Sequence, residues 1–204
     1  MIQIDGESLW SDLMTLGAIG ALPRGGCDRL ALTDADRDGR NLFVHWCDEA
    51  RLAITIDAMG NIFARREGTD PSLPPVFAGS HLDTQSPGGK FDGPLGVLAA
   101  LAVMRALDRA GVVTRRAIEV VNWTNEEGAR FWPGLMGSAV FSGAVDLATA
   151  YAATDRAGCR VGDELARIRY RSDVPSTLVL ARAQRSGKSL LNLLPPSRVT
   201  YSGS

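Results

Sequence analysis

The sequence predicts an α/β domain with a mostly parallel central sheet and flanking helices, and three observations predict it. Val76–Ser80 is a short apolar run with prolines before it and polar residues after it, the pattern of a buried strand. Gly96–Leu107 is apolar nearly all round, as expected of a helix packed on several sides. Ala117–Trp123 (Ala-Ile-Glu-Val-Val-Asn-Trp) is the next strand-like run. Strand, glycine-rich loop, buried helix and strand make a βαβ unit, which implies parallel strands.

Ahead of that unit, Glu7–Leu16 carries Leu9, Leu13 and Leu16 at helical spacing, with Ser8 as the expected cap. A second helix is expected from about Arg37 to Arg51, with Leu42, Val44, Trp46 and Ala50 among its members. Ala53–Asp57 and Ile62–Arg65, joined through Met59-Gly60-Asn61, read as a hairpin or strand pair. Asp70–Pro75 is a loop by composition. All 23 acidic residues lie at or before Asp173, whereas the following stretch carries Arg182, Arg185, Lys188 and Arg198 and no acid. Residues 1–175 are therefore expected to form one folded design, and residues 176–204 a divergent tail, disordered or read in a shifted frame.

A chain of 204 residues can build one sizeable core. Its net charge of −1 leaves no electrostatic footprint for nucleic acid or an anionic membrane, so neither is expected as a partner. The most apolar stretch, Gly96–Met104, is far too short to span a bilayer. The first residues are acidic and lack the basic-then-apolar layout of a secretion signal. Cys27, Cys47 and Cys159 are odd in number and form no CxxC pair, so reduced thiols in a cytoplasmic protein are expected.

The chemistry concentrates where the two strands of the βαβ unit end, the place where such sheets bind ligands. His81, Asp83, Asp92, Glu126 and Glu127 bring one imidazole and four carboxylates there. If the strand runs through His81 and Asp83, both side chains share a face, and the carboxylate can hold the imidazole N–H and fix its tautomer. Asp92 is flanked by Gly88-Gly89 and Gly93, which allow close approach to an ion. Of the paired glutamates, one can bind a metal while the other takes a proton from an activated water. A lone His-x-Asp would read as a satisfied buried histidine; the glycine-flanked aspartate and paired glutamates make it a metal site.

These residues resemble the zinc-dependent amidohydrolases that cleave N-carbamoyl amino acids, ureidopropionate or allantoate, the hydantoinase/carbamoylase branch of the metallopeptidase-like dinuclear hydrolases. The resemblance rests on successive blocks: Gly79-Ser-His-Leu-Asp-Thr-Gln85, Gly88-Gly-Lys-Phe-Asp-Gly93, Leu95-Gly-Val-Leu-Ala99, Trp123-Thr-Asn-Glu-Glu-Gly-Ala-Arg-Phe131 and Gly137-Ser-Ala-Val-Phe-Ser-Gly143. It covers the chain to about Pro175 and implies the N-terminal part of a zinc-exopeptidase-type catalytic domain, without the family's dimerisation domain. It further implies two divalent ions, zinc or manganese, cobalt or nickel. His81 would be a terminal ligand, Asp92 the bridging carboxylate and Glu127 a ligand of the second ion. Glu126 would be the general base and Asp83 the orienting acid, with hydrolysis of a linear C–N bond other than a peptide bond and a homodimeric full-length form.

The chain also departs from that pattern. No histidine follows His81, whereas the family draws one more for each metal. Ala102 stands where an acid is expected, and Arg169-Tyr170 replaces Gly-Tyr. A segment resembling Glu-Leu-His-Ile-Glu-Gln-Gly is absent near residues 189–195, which reads as a frame shift or truncation near residue 175. A related aminopeptidase, dipeptidase or deacylase, and an inactive partial site, remain the alternatives. Asp34-Ala-Asp-Arg-Asp-Gly39 imitates a calcium loop, but His45 occupies its bidentate position, so a helix-capping turn is expected. Ser186-Gly-Lys-Ser189 is no phosphate loop, since the required earlier glycine is Arg182. His45 is read as a structural or surface histidine.

Overall fold

A computed structural model describes residues 1–176. The helices are α1 (Gly6–Ala18), α2 (Asp34–Glu49), α3 (Pro94–Arg109), α4 (Met136–Ser142), α5 (Leu147–Ala152) and α6 (Val161–Arg167). The strands are β1 (Ala53–Ile56), β2 (Ile62–Arg66), β3 (Val76–His81) and β4 (Ile118–Trp123). The expected tail from residue 176 and the Ser186–Ser189 segment lie, beyond Ser176 itself, outside the described residues.

Local chemistry explains most element boundaries. α1 starts earlier than expected: Asp5, not Ser8, is its cap, and the Asp5 carboxylate accepts from the Ser8 amide at 3.0 Å. A carboxylate satisfies an orphan N–H and complements the helix dipole at once. α2 likewise starts at Asp34, capped by Thr33, whose hydroxyl accepts from Asp36 N at 3.2 Å. The calcium-like acids are thus the acidic first turn of a helix, as the missing bidentate glutamate implied. β1 and β2 form the expected hairpin, paired from Ala53↔Arg65 to Ile56↔Ile62. Its turn is closed by Asp57, which accepts from Asn61 N at 2.8 Å and Asn61 Nδ2 at 2.9 Å.

The α/β class and the βαβ unit are present: β3 and β4 pair in parallel, joined through α3. The described sheet is nevertheless mixed, with order β1-β2-β4-β3 and antiparallel β1–β2 and β2–β4 pairings. The hairpin adds to the β4 side, which leaves β3 at the edge. That placement is why Val76 is 47% exposed in a strand whose sequence reads as buried.

Gly96 lies against Ser80, which puts α3 on the face of β3 that carries Ser80. Phe63, Phe77 and Trp123 instead meet Phe141 of α4, with ring centroids 5.3–5.9 Å from it. The core between helices and sheet includes Leu16, Phe43, Met59, Ile62, Leu98, Leu101 and Val120. Each such side chain contributes about 1.5–3 kcal/mol by leaving water. No described helix is long and apolar enough to cross a membrane. Cys27 and Cys47 are buried, Cys159 is exposed, and all are free thiols.

Candidate functional site

The parallel pair β3–β4 carries the candidate residues to one end of the sheet. His81 is the last residue of β3, and Glu126 and Glu127 follow β4 by three and four positions. Asp92 and Gly93 close the loop that enters α3, and Gly93 packs on the imidazole. A Cβ added to Gly93 would sit 2.5 Å from His81 Cε1 and Nδ1. Asp92 is thereby held one residue from the ring, and it is exposed.

His81 is 4% exposed. Its Nδ1 lies 2.8 Å from the Asp83 backbone carbonyl but 3.7 Å from the Asp83 carboxylate. The strand ends at His81, before Asp83, and the carbonyl rather than the carboxylate makes the shorter contact. A carbonyl only accepts, so Nδ1 carries a proton. The other ring nitrogen, Nε2, lies 3.2 Å from Glu126 Oε2.

The Asp83 carboxylate has another role. Its two oxygens accept from the Glu126 and Glu127 amides, each at 3.3 Å. Burial and then the charge of Asp36 push its carboxyl up to about 7, against the opposing pull of His81 and Arg40. Glu127 takes a hydrogen bond from Gln85 Nε2 at 3.0 Å.

The loop bearing the glutamates is braced throughout. Asn125 adopts φ +52, a region asparagine tolerates, and its Nδ2 donates to the carbonyls of Phe131 (2.9 Å) and Pro133 (3.1 Å). Leu135 N closes on Glu126 O at 2.7 Å. Arg130 ties the loop to Ala31 O, Asp155 and Glu164 at 2.9, 3.0 and 2.7 Å. His45 stands apart on the surface, 3.4 Å from Glu49.

Sequence reasoning assigns no role to Gln85, Asn125 or Arg40 and meets Asp36 only within the calcium-like run. Arg40 did leave a signal, since it shares a helical face with Phe43, Val44 and Cys47, and a charge on an apolar face requires a buried partner.

Among the described residues no three His, Cys, Asp or Glu side chains converge as a metal cluster. In kind, the donors fit a divalent cation. An imidazole nitrogen and a carboxylate oxygen 3.2 Å apart are held together only by a shared proton or by a cation.

The model of Peptidase family M28 matches residues 61–178. An N-carbamoyl-L-amino-acid amidohydrolase of Rhizobium meliloti is 50% identical over 171 residues, covering 84% of this chain and 41% of that protein. A ureidoglycolate hydrolase of Arabidopsis thaliana is 33% identical over 153 residues, covering 75% of this chain and 32% of that protein. A solved hydantoinase/carbamoylase family amidase from Burkholderia ambifaria superposes with TM-score 0.85 at 51% identity, over 87% of this chain and 44% of that one. The chain spans about two fifths of the length of these amidohydrolases.

Proposed function

This chain belongs to peptidase family M28, in its hydantoinase/carbamoylase-like group, and from that premise we propose that its protein hydrolyses a linear C–N bond other than a peptide bond. The substrate class is a small molecule of the N-carbamoyl amino acid, ureidopropionate or allantoate type. The observation that carries this reading is the pairing of His81 Nε2 with Glu126 Oε2 at 3.2 Å, beside amides clamped by Asp83.

The family is one of metallohydrolases, and His81, Asp92 and Glu127 would hold the divalent cation. When bound, it supplies Lewis-acid activation of water and of the carbonyl. Two ions sharing Asp92 are the finer form of the proposal, with zinc, manganese, cobalt or nickel all compatible with mixed imidazole and carboxylate donors. Once His81 Nε2 turns its electron pair to the cation, Glu126 would accept a proton from the attacking water and return it to the departing nitrogen. Asp83 keeps both glutamates in place through their amides, and its carbonyl keeps the His81 proton on Nδ1. A homodimeric full-length form belongs to the same proposal.

A direct test compares this chain with its His81→Ala variant for retained zinc or manganese after dialysis. In parallel, the full-length form is given an N-carbamoyl amino acid and a dipeptide. Retention that depends on His81, with turnover of the carbamoyl compound, supports the reading. Turnover of the dipeptide alone would move the protein to the peptidases, and metal retention indifferent to His81 would remove the site.

A further inference from the structure

We propose that the buried Asp36–Arg40 pair is a positioning device that holds, from beneath the sheet end, the turn carrying Glu126 and Glu127. The inference rests on the reading of His81, Asp92 and Glu127 as cation-binding residues.

Both side chains of the pair are 0% exposed. Arg40 distributes its guanidinium over three separate elements. Nε donates to Asp36 Oδ2 at 2.8 Å within α2, Nη1 to Gly60 O at 2.8 Å in the β1–β2 turn, and Nη2 to Thr124 Oγ1 at 3.3 Å. The guanidinium also lies over the Tyr170 ring, 5.4 Å from its centroid. Asp36 is itself anchored, since its Oδ2 accepts from Leu32 N at 2.8 Å.

Thr124 is the first residue after β4, two positions before Glu126. Its hydroxyl is held by Arg40, its N–H donates to Asn61 Oδ1 at 2.9 Å, and its carbonyl accepts from Gly137 N at 2.8 Å. α2, the hairpin turn and α4 therefore converge on one residue, and the chain reaches the glutamates from there. Asp83 lies within the field of both charges of the pair and takes the glutamate amides from the other side.

Stability alone is a poor reason for this arrangement. Taking a guanidinium and a carboxylate wholly out of water is costly, and apolar side chains of similar volume often serve stability as well or better. An apolar pair could not hold Thr124 Oγ1 and Gly60 O in register with α2. Outer hydrogen bonds of this kind orient metal-binding side chains, and their loss weakens metal affinity about 10–100-fold.

The test uses Asp36→Leu/Arg40→Met as an apolar replacement and Arg40→Lys as a charge-keeping one. Three quantities are measured on the 204-residue chain: the urea midpoint, amide hydrogen exchange, and zinc affinity by chelator competition. In the double variant the midpoint stays near that of the parent. Exchange at the Glu126 and Glu127 amides rises about tenfold or more while Leu98 and Leu101 in α3 are unchanged, and zinc affinity falls about 10–100-fold. Arg40→Lys gives the same pattern at smaller amplitude. A folded double variant with parental exchange at both glutamates overturns the proposal, as does acceleration spread evenly over all amides. If the double variant does not fold, unchanged glutamate exchange in Arg40→Lys overturns it. A parent chain that binds no zinc counts against the metal reading alone, and the exchange comparison still decides the positioning role.

Discussion

Substituting Gly93 by alanine separates two costs that meet at the His81 ring. Gly93 has φ +81, a conformation that costs an L-residue about 1–2 kcal/mol. The added Cβ would also lie 2.5 Å from His81 Cε1 and Nδ1 and 2.6 Å from His81 O, closer than carbon atoms tolerate. The ring cannot swing away freely, because it is 4% exposed and tied through Nδ1 to Asp83 O at 2.8 Å. Forcing a methyl into such packing costs about 1–3 kcal/mol. The sum, about 2–5 kcal/mol, corresponds to a Tm loss of roughly 5–15 °C for a chain of this size. Gly143 provides the first cost alone, since it also has φ +81 but nothing within 4 Å of its added Cβ. Gly89 provides neither cost. Urea unfolding of the three alanine variants should therefore rank Gly89 near the parent, Gly143 lower by about 1 kcal/mol, and Gly93 lowest. Zinc affinity should fall in Gly93→Ala alone. Equal losses in Gly93→Ala and Gly143→Ala would refute the idea that this glycine is reserved for the imidazole.

Asn125→Ala should destabilise by about 2–3 kcal/mol, because the Phe131 and Pro133 carbonyls lose their donor and alanine must adopt φ +52; Asn125→Gly should recover part of this in urea melts. Burial raises the Asp57 carboxyl above its ordinary range, despite donors from Ser176 and Asn61. A folded-state pKa above the unfolded one gives stability that is full below about pH 4 and declines as pH rises through the folded value. Urea midpoints at about pH 5 and pH 7.5 should therefore fall with pH in the parent and show a weaker slope in Asp57→Asn. Burial also pushes the Cys47 thiol up, whereas Cys159 is exposed. A thiol reagent should label Cys159 first in the native chain, and Cys159→Ser should abolish the rapid phase.

The βαβ unit was legible because each part announces itself locally. Val76–Ser80 and Ala117–Trp123 have strand composition, and the Pro94–Arg109 helix is apolar on the faces that meet the sheet. The positions of His81, Glu126 and Glu127 follow, since any residue just past a parallel strand arrives at the same end of the sheet. The proximity of Asp83 to His81 was legible, but its contacts were not. Its carbonyl meets His81 and its carboxylate meets two amides, because β3 stops at His81 and turns the next residues away from the strand's alternation. Arg40 could be noticed as a charge on an apolar face, but its acceptors lie 20 and 84 residues away in sequence.

By itself, then, the sequence determined the βαβ unit, the hairpin and the end of the sheet where His81, Glu126 and Glu127 collect, because periodicity and residue type act over a few neighbouring positions. The tertiary structure decided that β2 rather than another parallel strand flanks β4, and that β3 lies at the edge of the described sheet. It also decided which atom of Asp83 meets the imidazole, and that a buried guanidinium reaches Thr124 at the end of β4. Strand partners and hydrogen-bond directions depend on groups far apart in the chain, and only the packed molecule brings them within about 3 Å of one another.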